Sequence, residues 1–572
     1  MKMSDKVLLH LLEKSGPKSS TEIYHLLKKK FPYIDRAKIL SRLKRLSKKS
    51  SIRLTKAGKF VSQTPAKAKD QKDPPPQGDF LEICKKYEFK PSFTKKELDE
   101  ADRLKGWNIK ETSRRKNYRN TLVITIDGSD AKDLDDGVSV VKKIDGYLLT
   151  VHIADVSYYV KENSAIDLEA PERGNSVYLI DKVIPMIPEA LSNGICSLNA
   201  GVGRLSLSVE IKFNRRGEVV KYAFFEGIIQ VGRRFTYEEV QAVLDKGSAV
   251  TEDQKPYVKM IKNMKQLADI LYKKRTENGS IDFNFDELKI LVDKNSHPIE
   301  ILKKKRLKSH QIIEDFMLSA NRVTAKYLSE KGKAVYRVHE TPDSEKVSVF
   351  NQFVQKFGYH LNSPLNPDPK EFQRILSLVS GKPEEKLISV IMLRTMKQAI
   401  YSTENKGHFA LAFEDYTHFT SPIRRYSDLL VHRLLKRAMG VQTEDRLING
   451  EHFLVKVTQH ISTTERTAME AERDLIKKKG ARFMKDKVGQ VFDGSVSGVT
   501  SFGLFIETDL YGVEGLVRMS DLKGFYHFDE ENFMLIREDR KSKYQLGTRV
   551  KAKLAKVDIS RNFIDMVLVD GY

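Results

Sequence analysis

Cysteine is scarce in this chain of 572 residues, where only Cys84 and Cys196 occur. They stand far apart and without metal-ligand spacing, which excludes a zinc ribbon and argues against a structural disulfide. No apolar run is long enough to span a bilayer, no lipidation motif is found, and the polar start Met1-Lys2-Met3-Ser4-Asp5-Lys6 is unlike a signal peptide. A membrane-spanning or disulfide-stapled secreted protein is thereby set aside, and a cytoplasmic one is expected. Acidic residues are in deficit too. Lys plus Arg number 100 against 77 Asp plus Glu, a formal charge of +23, so the expected partner is a polyanion. The length suffices for several domains with large cores.

Five of the acidic residues are crowded together. Asp127, Asp130, Asp133, Asp135 and Asp136 follow the apolar, β-branched run Leu122 to Ile126. That run reads as a buried strand ending at Asp127, after which Gly128, Ser129 and Gly137 mark a loop able to fold the later carboxylates back toward the first. Such charge must bind cations, shift its pKa values or stay in water. Hard oxygen ligands favour Mg²⁺ or Mn²⁺, and a pair of such ions can activate a water and stabilise the leaving oxygen of a phosphodiester. An EF-hand loop starting at Asp133 fails, because Gly137 and Ile144 fall at its fifth and twelfth positions. A phosphotransfer Asp-x-Asp fails as well, since Asp133-Leu134-Asp135 is separated from the strand. A solvated acidic loop is the plain alternative.

The organisation along the chain is multidomain α+β. Residues 1–61 carry a winged-helix pattern: helices near Val7 to Leu12, Thr21 to Lys30 and Ala37 to Leu46, then a hairpin from Ile52 to Val61 around Lys56-Ala57-Gly58. Its third helix would present Arg42, Lys44 and Arg45 to a nucleic-acid groove; docking of a protein partner is the alternative. Residues 62–79 read as a flexible linker. Residues 80–480 form one large α+β domain, β-rich near 121–232 and mostly helical afterwards. In residues 485–570, strand-like Gly489 to Val496, Phe502 to Ile506 and Val550 to Val567, with Gly-rich turns, predict a five-stranded OB barrel. There Phe502 and Phe505, with Arg518 and His527, would offer ring faces and charge to single-stranded bases, unless at least one Phe lies in the core.

A second constellation runs from His418 to Asp428. Ser421 reads as an N-cap, Pro422 suits the first turn, and Leu429, Leu430, Leu434 and Leu435 continue a helix. Arg424 and Arg425 then lie at a helix N-terminus, where cations call for an anion such as phosphate. The alternative is an Arg424 to Asp428 ion pair.

With the aspartate loop, Ser176-Val177-Tyr178, Val183 to Pro188, Leu191 to Leu198, Ile313 to Met317, Tyr336 to Glu340 and Gly407 to Tyr426 in order, the chain resembles the RNase II/RNase R (RNB) family of 3′→5′ exoribonucleases. The barrel is similar to the family's S1 domain. The resemblance implies processive hydrolysis of single-stranded RNA to nucleoside 5′-monophosphates with Mg²⁺ or Mn²⁺. It implies metal ligation by Asp127 and Asp136 with Asp133 in support, dependence of catalysis on Asp135, and neutralisation of the scissile phosphate by Arg424. Asp130 receives no role. Tyr178 and Phe283 would clamp the terminal bases, and Tyr237 with Glu314 would sense ribose through its 2′-hydroxyl. The implied partner is single-stranded RNA, or structured RNA with a 3′ overhang, handled by a monomer. One departure stands out: between the linker and Thr121 there is no room for the two cold-shock barrels common in the family. The competing function is a non-catalytic RNA- or DNA-binding regulator built on an RNB-like scaffold.

Overall fold

The computed structural model describes residues 19–30, 35–48, 52–54, 60–62, 75–104, 113–283, 285, 287–441, 450–530, 534–539 and 543–569. The chain divides into two compact units, 1–74 and 75–572. In the first, helices Ser20–Lys30 and Arg36–Lys48 precede an antiparallel pair, Ile52–Leu54 with Phe60–Ser62. Ile23, Leu27, Ile39, Leu43 and Leu46 recur at helical spacing and are buried. Ser19 and Glu22 exchange backbone and side-chain hydrogen bonds in a capping box that starts the first of these helices. Lys44 is exposed. The helix expected near Val7 to Leu12, the turn Lys56-Ala57-Gly58 and the side chains of Arg42 and Arg45 lie outside the described residues.

The linker expected to reach residue 79 ends sooner. Helix Gly78–Lys86 already belongs to the second unit and buries Asp79, Phe80, Ile83 and Cys84; the Pro-Pro-Pro-Gln-Gly lead-in hid this start because its turn carries no apolar residue. Helix Lys95–Leu104 follows.

A seven-stranded sheet organises this unit. From one edge its strands are Arg233–Thr236, Ile124–Asp127, Asp136–Lys143, Gly146–Ala154, Gly203–Asn214, Val219–Gln230 and Lys116–Tyr118. The inner pairs are antiparallel and the two edge strands join in parallel. Strands Asp136–Lys143 and Gly146–Ala154 bury residues on both faces over much of their length, as sheets covered on two sides do. Ile312, Phe316, Ala320 and Val323 of helix Lys308–Glu330, and Leu430, Leu434 and Leu435 of helix Tyr426–Ala438, share their core.

Charge is buried there as well. The Arg115 guanidinium donates to Asp155 at 2.8 Å and Glu226 at 3.1 Å, while Lys436 Nζ donates to Asp155 Oδ1 at 2.6 Å. Burial would push the Asp155 carboxyl up, but Lys436 and Arg115 hold it far below the usual carboxylate range.

Beyond the 35-residue helix Glu451–Lys485, strands Val491–Thr500, Gly503–Thr508, Glu514–Arg518, Phe563–Leu568 and Arg549–Asp558 close a barrel in that order. This is the expected five-stranded OB fold, with a three-stranded sheet, Tyr526–Asp529, Met534–Arg537 and Lys543–Gln545, inserted before its fourth sequential strand. At Gly503, φ is +152° and a Cβ would sit 2.2 Å from the Val517 carbonyl oxygen, so only glycine fits the turn.

Asp155→Asn is expected to lower unfolding stability by up to about 3–5 kcal/mol in urea titrations, because the buried Arg115 and Lys436 then share only Glu226, at 3.1 and 3.4 Å. The folded pKa is depressed, so this contribution is present above the ordinary carboxylate pKa and lost only as pH falls through the folded value.

Candidate active site

The aspartate loop sits at one end of the sheet because two neighbouring strands put it there. Asp127 closes strand Ile124–Asp127, Asp136 opens the antiparallel strand Asp136–Lys143, and Ile124 lies opposite Val138. The intervening turn is pinned from outside. Arg234 donates to the carbonyls of Gly128 at 2.8 Å and Ser129 at 3.2 Å. Ser197 Oγ accepts from Leu134 N at 3.0 Å and donates to the Lys132 carbonyl at 2.8 Å. Asp130 points outward toward Lys289, 3.6 Å away, in keeping with its having no assigned role.

The four remaining carboxylates differ in environment. Asp127 Oδ1 accepts from Gly128 N at 2.8 Å, yet burial and the nearby Asp133 charge push its carboxyl up. Asp133 accepts a hydrogen bond from the Tyr178 hydroxyl. Asp135 is only 4% exposed, and its Oδ1 accepts from the backbone N–H of Ile423 at 2.9 Å. Burial drives the Asp135 carboxyl well above the ordinary range, and Arg424 opposes that rise. Asp136 is raised from 3.8 to about 7 by burial with Asp127 adding to it, and its Oδ2 is buried without a hydrogen-bond partner.

Arg424 reaches this loop from far along the chain, its Nε 3.8 Å from Asp135 Oδ2. The approach differs from the sequence-based expectation in one respect. Ser421 is not the N-cap: Ser421 to Arg424 form a turn, and the helix begins at Tyr426 with Arg425 before it. Pro422 suits a tight turn as well as a first helical turn, so the motif could not separate the two. Asp428, in the first helical turn, pairs with Arg425 and not with Arg424. Arg425 grips it through two hydrogen bonds of 2.8 Å, and Asp428 Oδ1 accepts from Ser421 N at 2.8 Å. Arg424 is thereby left facing the carboxylates, 43% of its side chain exposed.

Tyr178 is 37% exposed on strand Val177–Leu179, its hydroxyl on the aspartate loop. Phe283 stacks on Phe285, with centroids 5.7 Å apart, and no ring contact joins it to Tyr178 among the described residues. Tyr237, the first residue of its helix, stacks on His310 at 3.9 Å. Burial and the charges of Asp127 and Asp136 push its phenol up, which places Tyr237 beside the loop. Glu314, one helical turn beyond His310, pairs with Arg306 and lies 3.5 Å from Arg275. Tyr237 and Glu314 thus share a neighbourhood through His310. On the barrel, Phe502 and Phe505 meet edge to face at 6.0 Å. Neither is in the core, which Leu504 and Ile506 fill instead, so the alternative placing one Phe inside is overturned: Phe505 takes the outward position between them on the strand, and Phe502 lies in the exposed turn before it. Arg518 lies opposite Gly503 in the strand register and pairs with Asp565 at 3.0 Å. His527 is exposed on the inserted sheet.

The contributions of Ile423 N–H, Arg234 and His310 were not legible in the sequence. A backbone donor and a bracing arginine leave no local signature. Among the described residues no group of three or more His, Cys, Asp or Glu forms a metal-holding cluster. The donor set nevertheless fits a hard divalent cation: oxygens only, crowded enough to raise one another's pKa, with Asp136 Oδ2 unpartnered.

A covered sheet carrying a carboxylate loop, faced by an arginine turn from the end of the same domain and trailed by a five-stranded barrel, defines a multidomain α+β class. The RNB domain matches residues 115–440, and the S1 RNA binding domain matches residues 485–567. The chain belongs to the RNB family. Ribonuclease R of Thermotoga maritima is 42% identical over 462 residues, 80% of this chain. The chain spans 65% of the length of that curated relative. Mycoplasma genitalium RNase R in complex with ribose methylated single-stranded RNA is 28% identical, with a TM-score of 0.81 covering 86% of this chain and 78% of that one. The same protein in complex with double-stranded RNA gives 0.77 at 27% identity over 86% and 83%. Among the described residues no helix is long and apolar enough to cross a membrane.

The raised Asp136 carboxyl favours the folded protein most below pH 4, and that stability is lost as pH rises toward 7. A rise of this size corresponds to on the order of 4 kcal/mol. In metal-free buffer, melting temperature is therefore expected to fall between about pH 4 and 7, Mg²⁺ to restore it at the alkaline end, and Asp136→Asn to flatten both responses. An equal Mg²⁺ shift in the variant would remove Asp136 from the cation site.

Proposed function

We propose that this chain is a metal-dependent, processive 3′→5′ exoribonuclease that hydrolyses single-stranded RNA to nucleoside 5′-monophosphates in the cytoplasm, acting as a monomer. The observation that carries the reading is the approach of Arg424 to Asp135 beside the carboxylates at the sheet end. A guanidinium, buried carboxylates and a +23 chain form a site for a phosphodiester and its counter-ions. The ribonuclease R relatives and the Mycoplasma genitalium structures with single-stranded and with double-stranded RNA support RNA as the substrate.

Asp127, Asp133 and Asp136 would hold the cation, Mg²⁺ or Mn²⁺. When bound, such ions supply charge to the phosphodiester and lower the pKa of water. Asp135, fixed by the Ile423 N–H, orients its free oxygen toward Arg424. Arg424 in turn neutralises charge that grows at the scissile phosphate. Tyr178 and Phe283 stack the terminal bases, Tyr237 and Glu314 read the ribose, and Phe502, Phe505 and Arg518 give the barrel an outward surface for incoming single strand.

Asp135→Asn is expected to abolish turnover of end-labelled RNA while leaving its affinity nearly intact, and Arg424→Ala to lower kcat far more than it raises KM. Wild-type binding with no mononucleotide release under Mg²⁺ would instead establish the regulator reading. Removal of residues 1–74 is expected to spare hydrolysis of short single strands. On a long tailed duplex, the slope of log K against log salt should become shallower by about 0.7 to 0.9 for each phosphate that the first unit neutralises. An unchanged slope would make the first unit a protein-docking module.

A further inference from the structure

Helix Gly78–Lys86 has no part in the chemistry above, yet it is fastened to the long helix Glu451–Lys485 along its whole length. At its start, Asp79 is fully buried and accepts from Arg482 Nε at 2.7 Å and Nη2 at 2.6 Å, with Lys479 Nζ 3.1 Å away. Mid-helix, Glu82 pairs with Lys478. At its end, Tyr87 OH donates to Asp474 at 2.7 Å and Lys86 pairs with the same carboxylate. Eight residues separate Asp79 from Tyr87 and eight separate Asp474 from Arg482. At about 1.5 Å per residue both spans are about 12 Å, so the contacts form a matched antiparallel ladder.

The other face of this helix meets the hairpin that carries Tyr178. Phe80, Ile83 and Cys84 pack in one cluster with Val177, Leu179 and Ile184 of the hairpin and with Ala468, Ala471 and Leu475 of the long helix, and Lys182 Nζ lies 4.6 Å over the Phe80 ring. Val177 and Leu179 flank Tyr178 and point to the opposite side of the strand from it. The chain leaving the helix is tied to the hairpin base too: Arg173 donates to the carbonyls of Lys90, Ser92 and Pro185 at 2.9–3.2 Å.

We propose that helix Gly78–Lys86 is a strut that sets the position of Tyr178, and that Asp79 is a positioning residue for it. This rests on the reading of Tyr178 as a base clamp for its effect on products, but not for its effect on structure. The strut docks on the long helix through the charge ladder and through Ala468, Ala471 and Leu475, and the same apolar cluster backs the hairpin. The segment before the sheet thereby supports the clamp strand from behind, on the side opposite the tyrosine ring.

The test uses the full chain with Asp79→Asn and, because that variant strands buried cations, Ile83→Ala as a second route to undocking. Alkylation with iodoacetamide, mapped by peptide mass, reads docking through the buried Cys84, with buried Cys196 as internal control. Cys84 is expected to react at least about tenfold faster in both variants while Cys196 does not change. Deuterium uptake over residues 177–184 should accelerate with it, and uptake over residues 124–127 should not. The final undegraded oligonucleotide should lengthen, as is also expected of Tyr178→Ala, where the clamp ring itself is removed, a change that mere loss of folded protein cannot produce. Released Cys84 with unchanged uptake at 177–184, or no release of Cys84 in either variant, overturns the strut. Faster uptake with an unchanged oligonucleotide ladder in these variants and in Tyr178→Ala upholds the strut and rejects the clamp reading instead.

Discussion

More negative charge is drawn together at one end of the sheet than the protein's own cations neutralise there, and much of the molecule answers to that imbalance. Asp127, Asp135 and Asp136 are all pushed above the ordinary carboxylate range, chiefly by burial. Arg424 relieves each of the three, but at 3.8 Å from Asp135 it makes no bidentate clasp. A paired and saturated site would be inert; this one is left short of positive charge. Two strands, a serine from residue 197 and an arginine from residue 234 hold the loop against its own repulsion.

Three buried carboxylates of the same domain are balanced. Asp155 meets Arg115 and Lys436, Asp428 meets Arg425, and Asp167 meets Arg433 at 2.6 Å. The contrast separates structural carboxylates from candidate working ones. Asp155 is held far below its ordinary pKa and Asp136 well above it, although both are buried in the same domain. Partner geometry, not depth, makes the difference.

Much of this was legible in the sequence because it is local. The strand before Asp127, the glycines around the loop and the alternating barrel strands each carry their own period or turn signal. The family resemblance ordered the pieces. What escaped was non-local or ambiguous. The Ser421 turn looks like a cap until the register of Asp428 is known, and the pairing of Arg425 rather than Arg424 with it depends on where the helix begins. Phe505 on an apolar strand reads equally well inward or outward. The start of the second unit was missed because Asp79, an acidic residue after three prolines, reads as solvent-exposed; only the cations of the long helix, from a distant part of the chain, account for its burial.

The hydrogen bond from the Tyr178 hydroxyl to Asp133 joins the proposed base clamp to the carboxylate loop. A phenol tethered at its oxygen pivots about that point, so a base pressing on the ring face is felt at the carboxylate. Asp133 lies in the same short loop as Asp127, Asp135 and Asp136. On the proposed reading, grip on the RNA end and the arrangement of the loop carboxylates would share one mechanical degree of freedom, and each arriving base would set the loop again.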